Sequence, residues 1–293
     1  MKPVQFSYVR AESAEHAVET LHAHGDEAKI LAGGQSLLPA LNMRLVRPGV
    51  LVDLNFAAGL DEVTEENGSL RIGALVRQAA AQRSELVRTG CPLLAESLPL
   101  VGHVVTRNRG TVCGSIAHAD SAAELPLALV ALGGEVVTSR RTVPAAEFFV
   151  THFTTTLEPD ELVVASKWPR LEPGRGGALE EFAVRHGDFA LASAACVLQV
   201  ERGHVTGARL AVGSVTDRPE LVDVSPLVGH AVDDEAARSI AAVVATSIDP
   251  PPNLHGSPEY RRRLIEVLVG RVVARAWAAA CRTSAPIRSE PFS

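Results

Sequence analysis

A chain of 293 residues that is 46% hydrophobic and 21% charged is long enough for two domains with a real core and too apolar to be disordered. Its net charge of -6 argues against a surface built to neutralise nucleic-acid phosphates. The four cysteines, Cys91, Cys113, Cys196 and Cys281, lie far apart without a C-x-x-C pair, which removes the usual zinc and iron–sulfur spacings and any disulfide scaffold.

Taken in order, the chain opens with an extended segment over residues 4–8. Ser13 then reads as the N-cap of a helix over 14–24, whose Ala14, Ala17, Val18 and Leu21 share one face and whose C′ residue is Gly25. A strand over 30–32 runs into Gly33-Gly34, and Ser36 is placed to cap a helix over 37–45 that stops before Pro48. Residues 50–54 form a buried strand. Asn67-Gly68 marks a hairpin between 60–63 and 70–72. Helices are expected over 76–87, over 93–103 and over 127–132, with strands over 135–138 and 160–169.

The Gly- and Pro-rich stretch 169–177 is the best linker candidate. Beyond it three apolar segments (190–199, 205–214 and 221–224) precede helices over 234–247 and 258–280. Strands followed by helices indicate an α+β unit. The tail from Arg282 is expected to be disordered. No apolar leader and no run of eighteen apolar residues occurs, so neither a signal peptide nor a membrane span is expected, and a cytoplasmic location follows by default.

Chemistry concentrates in two places. Ala32-Gly-Gly-Gln-Ser36 is a strand–turn–helix junction in which two glycines permit close backbone approach and a helix start offers free N–H groups to an anion. Taken alone, such a turn is more often plain connectivity. The second is Thr111-Val-Cys-Gly-Ser115, about 80 residues on, also rich in glycine and hydroxyls and also opening a helix. Two such turns suit a long ligand with a central diphosphate, bound through backbone N–H groups and hydroxyls. The G-x-G-x-x-G dinucleotide fingerprint is absent. The ten histidines show no metal-ligand spacing, no G-x-S-x-G elbow is present, and Cys113 reads as a small buried residue rather than a reactive thiol.

These blocks, with Ala123-Glu-Leu-Pro126, Arg71-Ile-Gly-Ala-Leu75, Asp160-Glu-Leu-Val-Val164, Arg185-His-Gly-Asp-Phe-Ala190 and Asp217-Arg-Pro219, resemble the FAD-binding medium subunit of molybdenum hydroxylases. These are the relatives of carbon monoxide, xanthine and nicotine dehydrogenases. The resemblance covers about residues 1–280. It implies an α+β fold with a two-part FAD-binding domain of the vanillyl-alcohol-oxidase type over 1–177, its subdomains at about 1–57 and 58–177. A C-terminal domain with a three-stranded antiparallel sheet and helices would follow over 178–283, and the tail would be 284–293.

Carried over residue by residue, Ala32, Gly33, Gly34, Gln35, Ser36 and Leu37 would wrap the FAD diphosphate, with Lys29 and Leu31 close by. Thr111, Val112, Cys113, Gly114 and Ser115 would bind from the other side. Glu124 would accept from a ribose hydroxyl, with Asp120 in the same loop. Gly102 and His103 would touch the cofactor through their backbone, and Leu162 would pack near it. Where many relatives have glycine, this chain has Cys113, so the turn there must have ordinary dihedrals. Ser121 stands where proline is common. Glu180 stands where some relatives have a lysine near the flavin, so no tuning role is assigned to it. No histidine or cysteine sits at an obvious flavin-linking position, so non-covalent FAD is expected.

The resemblance implies electron relay, with no catalytic residue on this chain. A large molybdopterin subunit would hydroxylate the substrate and a small subunit would carry two [2Fe–2S] clusters, as a heterotrimer or its dimer. FAD here would pass electrons to an external acceptor such as NAD, a quinone or dioxygen. Two other readings stay open: a free-standing FAD-dependent oxidoreductase or cyclase that reuses the fold, and a non-catalytic relic.

Overall fold

The computed structural model describes residues 2–252 and 254–284. The chain begins with β1 (Ser7–Arg10), α1 (Ala14–His24), β2 (Ala28–Leu31), α2 (Leu37–Asn42) and β3 (Val50–Asp53). The three strands form a parallel sheet in the order β1-β3-β2. Local chemistry sets the boundaries of α1. The Ser13 hydroxyl accepts the His16 N–H at 3.2 Å, and Gly25 closes the helix at φ +51°, an end that a side chain would strain. Ala17 and Leu21 are the buried stripe that α1 lays on the sheet.

Next come β4 (Val63–Glu66) and β5 (Ser69–Gly73), joined by Asn67-Gly68 with both residues at positive φ, as a two-residue type I′ hairpin requires. Helices α3 (Gln78–Arg83), α4 (Glu85–Gly90), α5 (Pro92–Ser97), α6 (Val104–Arg109), α7 (Val112–His118) and α8 (Glu124–Leu132) follow. The single helix expected over 76–87 is therefore two. Ser84 leaves the helical region at ψ 125° and uses its hydroxyl to cap α4 through the Val87 N–H. The helix expected over 93–103 stops earlier, and α6 was not foreseen: its valines Val104 and Val105 are exposed while Arg107 is buried, the reverse of a readable apolar stripe. Helix α8 is buried along Leu125–Leu132 on every side.

Strands β6 (Glu135–Thr138) and β7 (Thr142–Pro144), helix α9 (Ala145–Phe148), the small pair β8 (Phe149–Thr151) and β9 (Thr154–Thr155), and β10 (Val163–Pro169) complete this region. Its larger sheet has the order β4-β5-β10-β6-β7.

The last region holds β11 (Arg175–Phe182), β12 (Ala192–Glu201), β13 (His204–Gly213), β14 (Glu220–Val222), α10 (Asp234–Ser247) and α11 (Pro258–Ser284). All the neighbouring strands are antiparallel, in chain order. The sheet thus has four strands rather than three, the fourth a three-residue edge. The expected linker 169–177 is already strand from Arg175 onward, because β11 is paired to β12 over its whole length. Both faces of this sheet are covered, in the period-two pattern of a strand. Leu179, Ala195, Val197 and Ala211 join the core built around α8, while Ala178, Ala194, Cys196, Leu198 and Leu210 join a second core with α10 and α11. Gly176 lies against the α11 backbone at Ala276 and Ala280, which is why a strand this poor in large residues can hold a 27-residue helix. Most of the expected tail (285–293) lies outside the described residues. Among the described residues no helix is long and apolar enough to cross a membrane.

Candidate functional site

The two glycine turns lie against each other. A Cβ on Gly33 would come 2.5 Å from the Arg109 carbonyl oxygen and 2.7 Å from Gly110 Cα, so the first turn is in backbone contact with the residues that lead into the second. Gly34 carries φ +71°. No hydrogen-bond acceptor meets the N–H groups of Gly33, Gly34, Gln35 and Ser36 among the described residues. Ser36 is not the expected cap: it sits in the helical region at φ -100°, ψ -42°, with no hydrogen bond from its hydroxyl to the start of α2. Its hydroxyl is exposed and available to a ligand. Gln35 turns its amide back onto the Gly33 carbonyl at 3.2 Å.

The second turn is held differently. Thr111 is extended and accepts the Gly114 N–H at 3.0 Å, capping α7. Val112 N–H donates to the Val76 carbonyl at 3.0 Å and Gln78 N–H to the Gly110 carbonyl at 2.8 Å, which fastens the turn to the start of α3. Cys113 has the ordinary helical backbone expected of it. Its Sγ lies 3.4 Å from the Ile72 carbonyl oxygen and 3.5 Å from Ser166 Oγ, and burial pushes the thiol up to about 12. Its side chain therefore belongs to the core, and only its backbone is left for a ligand. Ser115 is half-buried.

A third segment joins at Gly102 and His103. The buried Arg107 donates from Nη1 to the Val101 and Gly102 carbonyls, both at 2.9 Å, and from Nε to Gln82 at 3.2 Å. Gly187, in the loop between β11 and β12, lies against the His103 ring: a Cβ there would be 2.7 Å from Cε1. The last region of the chain thus closes over this segment. Glu124 opens α8 and feels both Asp120 and Arg107; burial, reinforced by Asp120, raises its carboxyl to about 7. Asp120 is buried and accepts the Ala122 N–H at 2.9 Å.

Other residues read from the sequence are placed less centrally. Lys29 is exposed on β2, beside the half-buried Leu31. Leu37 is the first residue of α2. Leu162 is buried and exchanges hydrogen bonds with Ser139, at the entry to β10 rather than at either turn. Sequence reasoning missed Tyr8, Asp53, Asn55, Arg77, Arg107 and Glu181. None of these carried a local signal, because they meet through tertiary contacts; the loop at Gly187 did carry one, the Arg185-His-Gly-Asp motif.

Free N–H groups on one turn, a capped helix start on the other, and the hydroxyls of the exposed Ser36 and the half-buried Ser115 match the needs of a diphosphate. Arg77 and Arg109 lie near enough to repel each other, which leaves cationic charge beside the turns, with Asp53 as counter-charge. The residues present therefore fit an FAD diphosphate. Among the described residues no group of three or more histidine, cysteine or carboxylate side chains could hold a metal.

The family described as the FAD binding domain in molybdopterin dehydrogenase matches residues 4–171, and that described as the CO dehydrogenase flavoprotein C-terminal domain matches residues 177–276. The chain is 42% identical to the 6-hydroxypseudooxynicotine dehydrogenase complex subunit alpha of Paenarthrobacter nicotinovorans, over 94% of this chain and 96% of that one. It is 37% identical to the nicotine 6-hydroxylase medium subunit of the same organism, over 95% and 99%. Its fold superposes on a chain of carbon monoxide dehydrogenase from Hydrogenophaga pseudoflava with a TM-score of 0.92 at 33% identity, covering 95% of this chain and 99% of that one.

Proposed function

The chain belongs to the family of FAD-binding medium subunits of molybdenum hydroxylases, and from that premise we propose how it works and with what. It is the FAD-carrying subunit of a multi-subunit dehydrogenase and relays electrons; molybdopterin and iron–sulfur clusters belong to other subunits of such complexes. We place the partners as a small [2Fe–2S] subunit that delivers electrons and a large molybdopterin subunit that hydroxylates the substrate, in a heterotrimer or its dimer. The location is the cytoplasm, and an external small molecule or protein accepts the electrons. We set the domain boundary after residue 177, a reading supported by a first family match that ends at 171 and a second that begins at 177.

The observation that carries the site is the contact of Gly33 with Arg109 and Gly110. It puts the unpaired N–H groups of 33–36 beside the capped turn at Thr111. Ala32 to Leu37 hold one side of the diphosphate, with Lys29 and Leu31 flanking, and Thr111, Val112, Cys113, Gly114 and Ser115 line the other. Since the Val112 and Gly114 N–H groups already donate to Val76 and Thr111, the Cys113 N–H and the Ser115 hydroxyl are left to donate there. Glu124 and Asp120 face the ribose, Gly102 and His103 offer backbone groups, and Leu162 supplies apolar packing. When bound, FAD supplies the capacity to take up electrons and pass them on. The protein's part is to orient the cofactor and exclude water from it.

Affinity purification of the tagged chain from its native host tests this reading. The expected result is a yellow complex with flavin absorption bands, containing iron, molybdenum and two further chains. Colourless protein would leave only the relic reading standing. Flavin-bound protein that purifies alone and oxidises a substrate would replace the subunit with a free-standing oxidoreductase.

A further inference from the structure

A side-chain relay outside both motifs links the two turns. Arg77 Nη1 donates to the Arg109 carbonyl at 2.6 Å, and Arg77 Nη2 donates to Asn55 Oδ1. Asn55 Nδ2 donates to the Ala32 carbonyl at 2.9 Å. The carbonyl that Arg77 holds is therefore the same one on which Gly33 rests. Asn55 is itself anchored, because Asp53 Oδ1 accepts its backbone N–H at 2.9 Å and its Nδ2 at 2.5 Å, and Asp53 Oδ2 accepts the Tyr8 hydroxyl at 2.6 Å. Burial pushes the Asp53 carboxyl up, but the hydrogen bonds from Tyr8 and Asn55 and the charge of Arg77 outweigh it, and the group ends below the usual carboxylate range.

The chain reaches this arrangement by an economical route. Val76 and Gln78, on either side of Arg77, hold the second turn through backbone bonds to Val112 and Gly110. The Arg77 side chain then crosses to Asn55 in the other subdomain, and Asn55 in turn holds the first turn at the Ala32 carbonyl. We propose that Asn55 and Arg77 are positioning residues that fix the spacing of the two turns, so that the FAD diphosphate meets a preassembled cradle. This rests on the FAD-binding reading and extends it to residues outside the cradle. A cradle assembled beforehand spares the ligand the cost of ordering it. Lysine could not replace Arg77, because a single ammonium lacks the planar fork that reaches two acceptors in two directions.

The test is an FAD titration of the full chain, freed of its flavin, as wild type, Asn55→Ala, Arg77→Lys and the double variant, with thermal melts alongside. Each single variant is expected to weaken FAD binding about tenfold, and the double variant to be no worse than the weaker single one, as for two members of one relay. Asn55→Ala removes no charge, so the salt dependence of its FAD affinity stays that of the wild type, whereas loss of a direct charge contact would flatten it. A cavity of about 220 Å³ lined by Asn55, Val76 and Arg77 lies beside the relay, so truncation enlarges an existing hollow rather than emptying a packed core. If Asn55→Ala nevertheless unfolds, Arg77→Lys decides in its place. FAD affinity within twofold of wild type in the folded variants overturns the proposal and leaves the FAD reading intact. Failure of the wild type to bind FAD removes both.

Discussion

The two glycine turns look alike in sequence and are built on opposite plans. The turn at Thr111 satisfies itself: its hydroxyl caps α7, its backbone is fastened to Val76 and Gln78, and Cys113 is sunk into the core. The turn at Gly33 leaves its own N–H groups unpaired and Ser36 uncapping, and is held from outside by Asn55 and by contact with Arg109. Substitutions in the second turn should therefore fall on the fold, and substitutions in the first on the cofactor.

The largest expected effect is at the point where the two plans meet. Gly33→Val would drive a branched side chain into the Arg109 carbonyl and Gly110 Cα, which are backbone atoms and cannot swing aside. The expected outcome is purified protein without flavin bands. The core shared by β12, β13, α10 and α11 should survive, read as an unchanged second melting transition or as protected amides in hydrogen exchange. Retention of full flavin would mean that the contact is not part of the site.

Thr111→Ala asks the reverse question. Removing the cap costs about 1 kcal/mol, which lowers the melting temperature by about 2–4 °C in a protein of this size. The loss should appear in flavin-free protein, and Thr111→Ser should restore most of it. An unchanged melt with weakened FAD would show that the hydroxyl serves the ligand rather than the helix, and the contrast between the turns would collapse.

How much of this was legible follows from the range of each interaction. Ser13 and Asn67-Gly68 act within four residues and can be read directly; Asp233, whose carboxylate caps α10 through the Ala236 N–H, acts over the same range although the sequence reading did not single it out. The glycine turns were legible as turns and, through the resemblance, as the flavin site proposed above. What escaped was whatever depends on a distant partner. Strand β11 has few large apolar residues because α11 lies close on Gly176. Helix α6 buries an arginine whose bonds go to the 101–102 carbonyls and to Gln82. The Asn55–Arg77 relay joins residues 22 apart in the chain, and neither has a local role that would mark it. Ser36 was misread for a related reason: a serine before a helix looks like a cap whether or not its hydroxyl turns inward.

A smaller effect tests how firmly the second turn's side of the site is tied to the last sheet. Glu181, on β11, has its carboxyl raised to about 8 by burial and by Glu124, itself raised to about 7; Glu181 Oε2 is buried without a hydrogen-bond partner among the described residues. Arg107 and Asp120 face Glu124 with opposite signs. Unfolded carboxyls titrate near ~4.3, so the folded chain binds more protons between that pH and about 8. Stability from this pair is complete below the unfolded value and is lost as pH rises through 7 to 8. Flavin-free Glu181→Gln should melt with a flatter pH profile between pH 5 and 8.5 than wild type. Identical slopes would show that the two carboxyls do not share a buried site.

The smallest expected effect is the most discriminating. Ser36 occupies the position of a helix N-cap, where replacing serine by alanine ordinarily destabilises by about 1 kcal/mol. Here the hydroxyl makes no such bond, and the residue is exposed, so Ser36→Ala should change the melting temperature of the flavin-free chain by no more than a surface substitution does, within about 0.5 kcal/mol. FAD affinity should still fall, by about tenfold or more if one hydrogen bond from the hydroxyl to the charged diphosphate is lost. The pair Thr111→Ala and Ser36→Ala then separates the two plans with the same chemical change: one hydroxyl removed from each turn, stability lost at one and affinity at the other. A matching loss of stability at Ser36 would mean that the free turn caps its helix in solution, and its N–H groups would no longer be held open for a ligand.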